Sequence, residues 1–284
     1  MHKKIVILRL IGGLGNQLFQ LQYALNFALT NEYQLRIDDS FLSNSQKSHE
    51  VLAVGALIGA FPRMRLGWFE LKIKRSIERL FYKIKQPVPS FLNPIFLFEN
   101  STMEIKNNKR LVIDGFWQNK LYITNEFLDS IRSQNFNVKN FEFCKRKDEN
   151  IVCVHIRRGD YLTNKRFLIN QQIVLSIDYY KKGFLFFKER NPNCQFEVYT
   201  DDEKWASSMF SDQSNVVVME TRYMDPWTIL FKMSCYSKYI IANSTLSWWA
   251  AVLSLGINKQ VILPHTWGIN QPSKHLRLDG WIAL

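Results

Sequence analysis

Ile151-Val152-Cys153-Val154-His155-Ile156-Arg157-Arg158-Gly159-Asp160-Tyr161 is the stretch from which the fold can be read. Its apolar opening, Ile151 to Val154, reads as a buried strand. Two guanidiniums and a carboxylate then stand at the carboxyl end of a strand, where open α/β sheets take their ligands. Arginine forks onto phosphate oxygens, so the first expectation is a site for a phosphorylated, nucleotide-linked ligand. If the strand continues, His155 and Arg157 share one face and Arg158 takes the other. One arginine then reaches the ligand while the other pairs with Asp160 or a backbone carbonyl. A plain ion pair at a strand end accounts for one arginine and one aspartate, less well for two arginines.

Outward from that stretch the chain alternates. Strands are expected at 151–156, 196–200, 215–219, 238–242 and 260–263, with helices near 177–190, 203–210, 225–235 and 246–255. Asp225-Pro226 starts one helix, with Asp as N-cap and Pro at the first helical position. Such alternation implies a parallel sheet covered on both faces. The N-terminal part opens the same way: a strand at Lys4–Leu10, a break at Gly12-Gly13-Leu14-Gly15-Asn16-Gln17, a helix at Leu18–Leu29 and a strand at Tyr33–Asp38. A further strand fits Arg110–Phe116 and a short helix Asn125–Arg132. Residues 139–150, dense in charge, suit a linker. The expected architecture is two α/β units with a ligand in the cleft between them.

The 284 residues hold 8 Trp, 21 Phe and 11 Tyr, enough for packed cores and against disorder. Net charge of +12 suits an anionic partner without choosing among nucleotide, nucleic acid and lipid. No signal-peptide core and no apolar window of spanning length is seen, which points to the cytoplasm. Cys144, Cys153, Cys194 and Cys235 lack C-x-x-C spacing and read as free thiols. Between residues 71 and 85, Ile73, Ile77, Leu80, Phe81 and Ile84 fall at helical spacing among six basic side chains and the single acid Glu78. A solvated face packing on the N-terminal unit is the preferred reading. Peripheral docking on an anionic inner-membrane face is the second.

Three more clusters carry candidate chemistry. The glycine loop lets backbone approach a ligand at a helix N-terminus, or is a tight turn; Asn16 and Gln17 suit hydroxyls better than charge. Asp201 and Asp202 follow a strand and read as ligand contacts, a metal holder or a helix cap; Asp38-Asp39 share the ambiguity. Asn243, Ser244 and Thr245 precede a helix and could bind phosphate there or simply cap it. Trp248-Trp249 read as core.

Taken together, these pieces resemble the inverting α-1,2-fucosyltransferases of glycosyltransferase family 11. The matching elements are Gly12-Gly13-Leu14-Gly15-Asn16-Gln17-Leu18-Phe19-Gln20, Gly115-Phe116-Trp117-Gln118, His155-Ile156-Arg157-Arg158-Gly159-Asp160-Tyr161, Thr200-Asp201-Asp202, and Asn243-Ser244-Thr245-Leu246-Ser247-Trp248-Trp249-Ala250-Ala251. Leu246, Val252 and Leu21-Gln22 depart from the usual pattern, and residues 50–105 match weakly. The resemblance implies a GT-B architecture: two Rossmann-like domains whose parallel sheets face a central cleft. Residues 1–145 would be the acceptor side and 146–284 the GDP-fucose-binding side. It implies GDP-fucose as donor, no cofactor or required metal, and a galactose-containing oligosaccharide or lipid-linked glycan as acceptor. Arg157 would be the main β-phosphate contact, with Arg158 supporting the site or contacting the donor. His155, Asn243, Ser244 and Thr245 would complete the donor site, and Asp201 or Asp202 would contact guanosine or hold the loop. Asp160 is the candidate base and Asn16 the candidate orienting group. The rivals are a GDP-fucose-dependent transferase of another linkage and a basic nucleic-acid-binding module. Against the latter, no recognition-helix or stacking motif accompanies the arginines, so no nucleic acid partner is expected.

Overall fold

The computed structural model describes residues 4–43, 53–55, 57–86, 95–99, 108–133, 147–163, 174–268 and 271–284. Contacts divide the chain into two units, Met1–Ile131 and Arg132–Leu284. Of the charged stretch 139–150, which suggested a boundary at 145/146, only 147–150 are among the described residues.

The first unit contains β1 (Ile5–Arg9), α1 (Leu14–Thr30), β2 (Gln34–Asp38), α2 (Ser40–Ser43), a π-helical turn (Glu70–Lys74) that runs into α3 (Arg75–Lys83), β3 (Phe96–Phe98) and β4 (Arg110–Asp114). α4 (Asn125–Ser133) spans the division between the units. The sheet has the order β2-β1-β4-β3 with every pairing parallel. β1 is buried through Val6, Ile7 and Leu8, as expected of a strand covered on both faces. α1 begins at Leu14, earlier than the glycine pattern suggests. Gly13 is already its N-cap, and Gly12 makes the turn at φ +77°, a conformation that favours glycine. Gly15 is therefore helical, and Gln17 reaches back to donate to the Gly12 carbonyl at 2.7 Å.

The second unit runs β5 (Ile151–Ile156), α5 (Gly159–Thr163), α6 (Ile177–Arg190), β6 (Gln195–Thr200), α7 (Glu203–Met209), β7 (Val216–Val218), α8 (Pro226–Ser234), β8 (Lys238–Ile240), α9 (Thr245–Leu253) and β9 (Gln260–Leu263). A small antiparallel pair, β10 (Thr266–Gly268) and β11 (Gln271–Pro272), precedes β12 (Ile282–Ala283). The parallel sheet has the order β12-β9-β8-β5-β6-β7. Numbered from one within this unit, its strands lie 6-5-4-1-2-3, the doubly wound order of dinucleotide-binding folds. The winding reverses between β5 and β8, which opens a crevice at their carboxyl ends. Val152, Val154 and Ile156 pack with Tyr180, Phe184, Phe196 and Val198 in the core. Each unit is thus α/β with a parallel sheet.

Trp248 and Trp249 are fully buried in α9, ring against ring at 5.3 Å. The indole of Trp248 donates to the Leu276 carbonyl at 2.8 Å. Among the described residues no helix is long and apolar enough to cross a membrane. Cys153 and Cys194 are free and buried, but Cys235 is disulfide-bonded. That corrects the expectation of four free thiols, which rested on local spacing alone.

Trp248→Ala should lower the unfolding free energy by about 3–5 kcal/mol, the cost of an emptied aromatic site. Urea denaturation with an unchanged m-value checks this. A loss under about 1 kcal/mol would mean the indole is not a core residue.

Candidate functional site

β5 stops at Ile156, so the alternation expected of a continuing strand does not govern the arginines. The parallel pairing with β6 does. Ile156 sits opposite Thr200, which sets Asp201 beside the loop that follows β5. Asp201 Oδ1 accepts the amides of Arg158 at 2.8 Å and Gly159 at 3.0 Å, and Oδ2 pairs with Arg157 at 3.2 Å. A side chain at 159 would meet the Asp201 carbonyl at 3.0 Å, so glycine permits the close approach. Asp202 caps α7 by accepting the Trp205 amide, pairs with Arg158 at 3.3 Å, and leaves that guanidinium 4.4 Å over the Trp205 ring. Both arginines are therefore fixed by the carboxylates ending β6.

Across the crevice, Ser244 is the N-cap of α9 and its side chain makes no capping bond. Thr245 opens that helix. Asn243 is buried, its amide donating to the Trp267 carbonyl at 3.2 Å. The Tyr161 hydroxyl donates to the Asn243 carbonyl at 3.1 Å, joining the segment after β5 to the one after β8. Arg157, Arg158, Asp201, Asp202, Asn243, Ser244 and Thr245 thus meet at one switch point. The start of a helix there presents backbone amides and a positive dipole end to an anion. Asp160 lies in α5, but its side chain is outside the described residues.

Electrostatics follow from burial. Burial raises the Asp201 carboxyl, but Arg157 and the two amides outweigh it, so its pKa is depressed. His155 is buried beneath the loop; burial first and Arg157 second push its pKa down to about 4. It is neutral at physiological pH, and its Nδ1 is buried with no hydrogen-bond partner.

The first unit reverses its winding between β1 and β4. Gln118 donates to Asn16 Oδ1 at 2.9 Å and Gln20 to the Gly115 carbonyl at 3.0 Å, tying α1 to the loop after β4. In that loop Trp117 holds φ +56° and stacks on Tyr23 at 3.8 Å. Glu99, one residue past β3, accepts the amides of Phe116, Trp117 and Gln118; burial still raises its pKa. Sequence reasoning missed Glu99: a lone glutamate after a three-residue strand carries no spacing signal. Asp38 and Asp39 serve structure, accepting the Ser40 and Leu66 amides and pairing with Arg63. Among the described residues no three His, Cys, Asp or Glu side chains gather to hold a metal ion.

The family model described as "Glycosyl transferase family 11" matches residues 98–284. An Escherichia coli protein named O-antigen biosynthesis glycosyltransferase WbnK is 28% identical over 97% of this chain and 99% of its own length. An Escherichia coli alpha-1,2-colitosyltransferase is 30% identical over 93% of this chain and 92% of its own length. Among solved structures, NodZ alpha-1,6-fucosyltransferase co-crystallized with GDP is 14% identical, covering 89% of this chain and 93% of that one with a TM-score of 0.46.

An unfolded chain protonates His155 near its ordinary value of 6.5, the folded chain only near 4. The stability His155 contributes by staying neutral is therefore complete above pH 6.5 and erodes as pH falls toward 4. Asp201, being depressed, keeps its contribution throughout that window and loses it only at more acid pH. Melting temperature should fall between pH 6.5 and 4.5, and less steeply in His155→Gln. Equal slopes in the two proteins would remove His155 as the source.

Proposed function

Since the chain belongs to glycosyl transferase family 11, we propose that it is an inverting α-1,2-fucosyltransferase, moving fucose from GDP-fucose to the 2-hydroxyl of a galactosyl residue in a glycan. The observation that carries this reading is the crevice in the second unit, where Arg157 and Arg158, held by Asp201 and Asp202, share a switch point with the start of α9. The relatives support the glycan acceptor and the 1,2 linkage through the activities they are named for.

Breaking the bond between fucose and diphosphate puts negative charge on the departing GDP. Fixed guanidiniums and amide dipoles meet that charge without reorganising, which is where such sites gain most of their rate. Arg157 is assigned to the β-phosphate, with Ser244 and Thr245 supplying helix-start donors. Arg158, stacked on Trp205, stiffens the loop. The two arginines and two aspartates cancel in formal charge, so the site acts through directed donors rather than net charge.

The attacking hydroxyl must lose a proton. Asp160 is assigned that role, since α5 begins directly after the arginines; the departing phosphate is the other acceptor. Asn16, fixed by Gln118, is assigned a contact to a sugar hydroxyl. No metal takes part in this scheme. The relative acting with colitose makes GDP-colitose the donor to compare with GDP-fucose.

Three measurements test the proposal. The purified protein should release GDP from GDP-fucose with galactosides as acceptors and form a 1,2-linked product. Arg157→Ala should lower turnover by about 100-fold or more with the fold retained. Preference for GDP-colitose would change the donor while leaving the site intact, whereas indifference to every guanine-linked sugar, with no heat on mixing with GDP, would falsify the assignment. Incubation with EDTA should leave turnover unchanged; a loss restored by manganese would return a metal to the mechanism.

A further inference from the structure

The segment from Trp68 to Ile84 is turned the opposite way from an ordinary surface helix. Glu70, Arg75 and Glu78 face the protein. Glu78 is buried and accepts the amides of Ile95 and Phe96, Arg75 pairs with Asp114 at the end of β4, and Glu70 pairs with Arg110. Leu71 packs on the core beside Ile7, Phe96 and Val112. These contacts fix the rotation of the helix.

The outward side carries an apolar stripe flanked by cations. Phe69, Ile73, Ile77, Leu80 and Ile84 recur at spacings of four, four, three and four residues, which is one face of a helix. They are 60%, 38%, 37%, 58% and 54% exposed, and Trp68 beside them is 68% exposed. Lys72, Arg79, Lys83 and Lys85 are exposed along the same segment, and no acidic side chain is exposed between Arg65 and Gln86. A contiguous apolar stripe left in water marks a contact surface. An apolar stripe whose exposed charged neighbours are all cations, with aromatic residues at one end, suits the boundary between anionic headgroups and acyl chains.

We infer that this segment docks the protein on an anionic membrane surface, its stripe entering the headgroup region and its lysines and arginine meeting lipid phosphates. The occupant is a bilayer and not an acidic protein, because the exposed cations of the segment flank a run of exposed apolar side chains that an acidic protein would leave unmatched. The contact does not depend on which sugar is transferred. It would bring the enzyme to an acceptor carried on lipid, and it can fail while the donor assignment stands.

The experiment is co-sedimentation of the full chain with vesicles of phosphatidylglycerol and phosphatidylcholine against vesicles of phosphatidylcholine alone. Binding should require the anionic lipid and weaken as salt rises. The triple variant Lys72→Glu, Arg79→Glu, Lys83→Glu and the triple variant Phe69→Ser, Leu80→Ser, Ile84→Ser should each reduce it by about tenfold or more. Both should keep wild-type circular dichroism and GDP release on a free galactoside, showing the fold intact. Brominated lipid should quench fluorescence in the wild type, with a smaller effect in Trp68→Phe. No binding to either vesicle, or equal binding by the charge-reversed variant, would overturn the inference. So would a dimer that the serine variant dissociates, since the stripe would then be covered by a second copy.

Discussion

One carboxylate sets the geometry of the second unit's crevice. Asp201 takes two backbone amides and a guanidinium at once; a hydrogen bond to a charged group is worth about 1.5–3 kcal/mol in a buried setting and less at a partly solvated one such as this. Burial opposes the charge, yet these partners prevail and the carboxyl stays ionised. The loop after β5 thereby has one conformation, and Arg157 one direction. The placement comes from strand register: six consecutive pairs, from Ile151 opposite Gln195 to Ile156 opposite Thr200, deliver Asp201 to the loop. A slip by one residue would put Asp202 there and leave α7 without its cap.

The first unit uses the same device at its own switch point. Glu99 ends one strand and holds the loop of the neighbouring strand by three amides. That loop contains Trp117 in the left-handed region, which for a bulky residue costs on the order of 1–3 kcal/mol. The stack on Tyr23 and the amides bound by Glu99 offset it. In both units, an acid at the end of one strand immobilises the loop after the next strand in the sheet.

The longer strands and helices of the second unit were legible because each is bounded by turn residues and differs in period, whereas the short α5, β10 and β11 were not. The arginine pair was legible for the same reason, since it interrupts an apolar run. What escaped was whatever depends on partners distant in the chain. Asp201 and Asp202 are adjacent and chemically identical; only the register with β5 separates loop anchor from helix cap. Glu99 has no local signal at all. The period of residues 71–85 revealed a stripe but not the direction it faces, because that depends on Glu78 finding the amides of Ile95 and Phe96. The two residues of β12 are too few to show a pattern.

Anchor and anchored loop lie 43 residues apart in the chain, though they touch in space. Gene shuffling between relatives would therefore sort poorly at crossovers falling between Thr163 and Gln195. A hybrid made there inherits its arginine strand from one parent and the aspartate that steadies it from the other, so exchange should succeed when β5 and β6 travel together as one cassette.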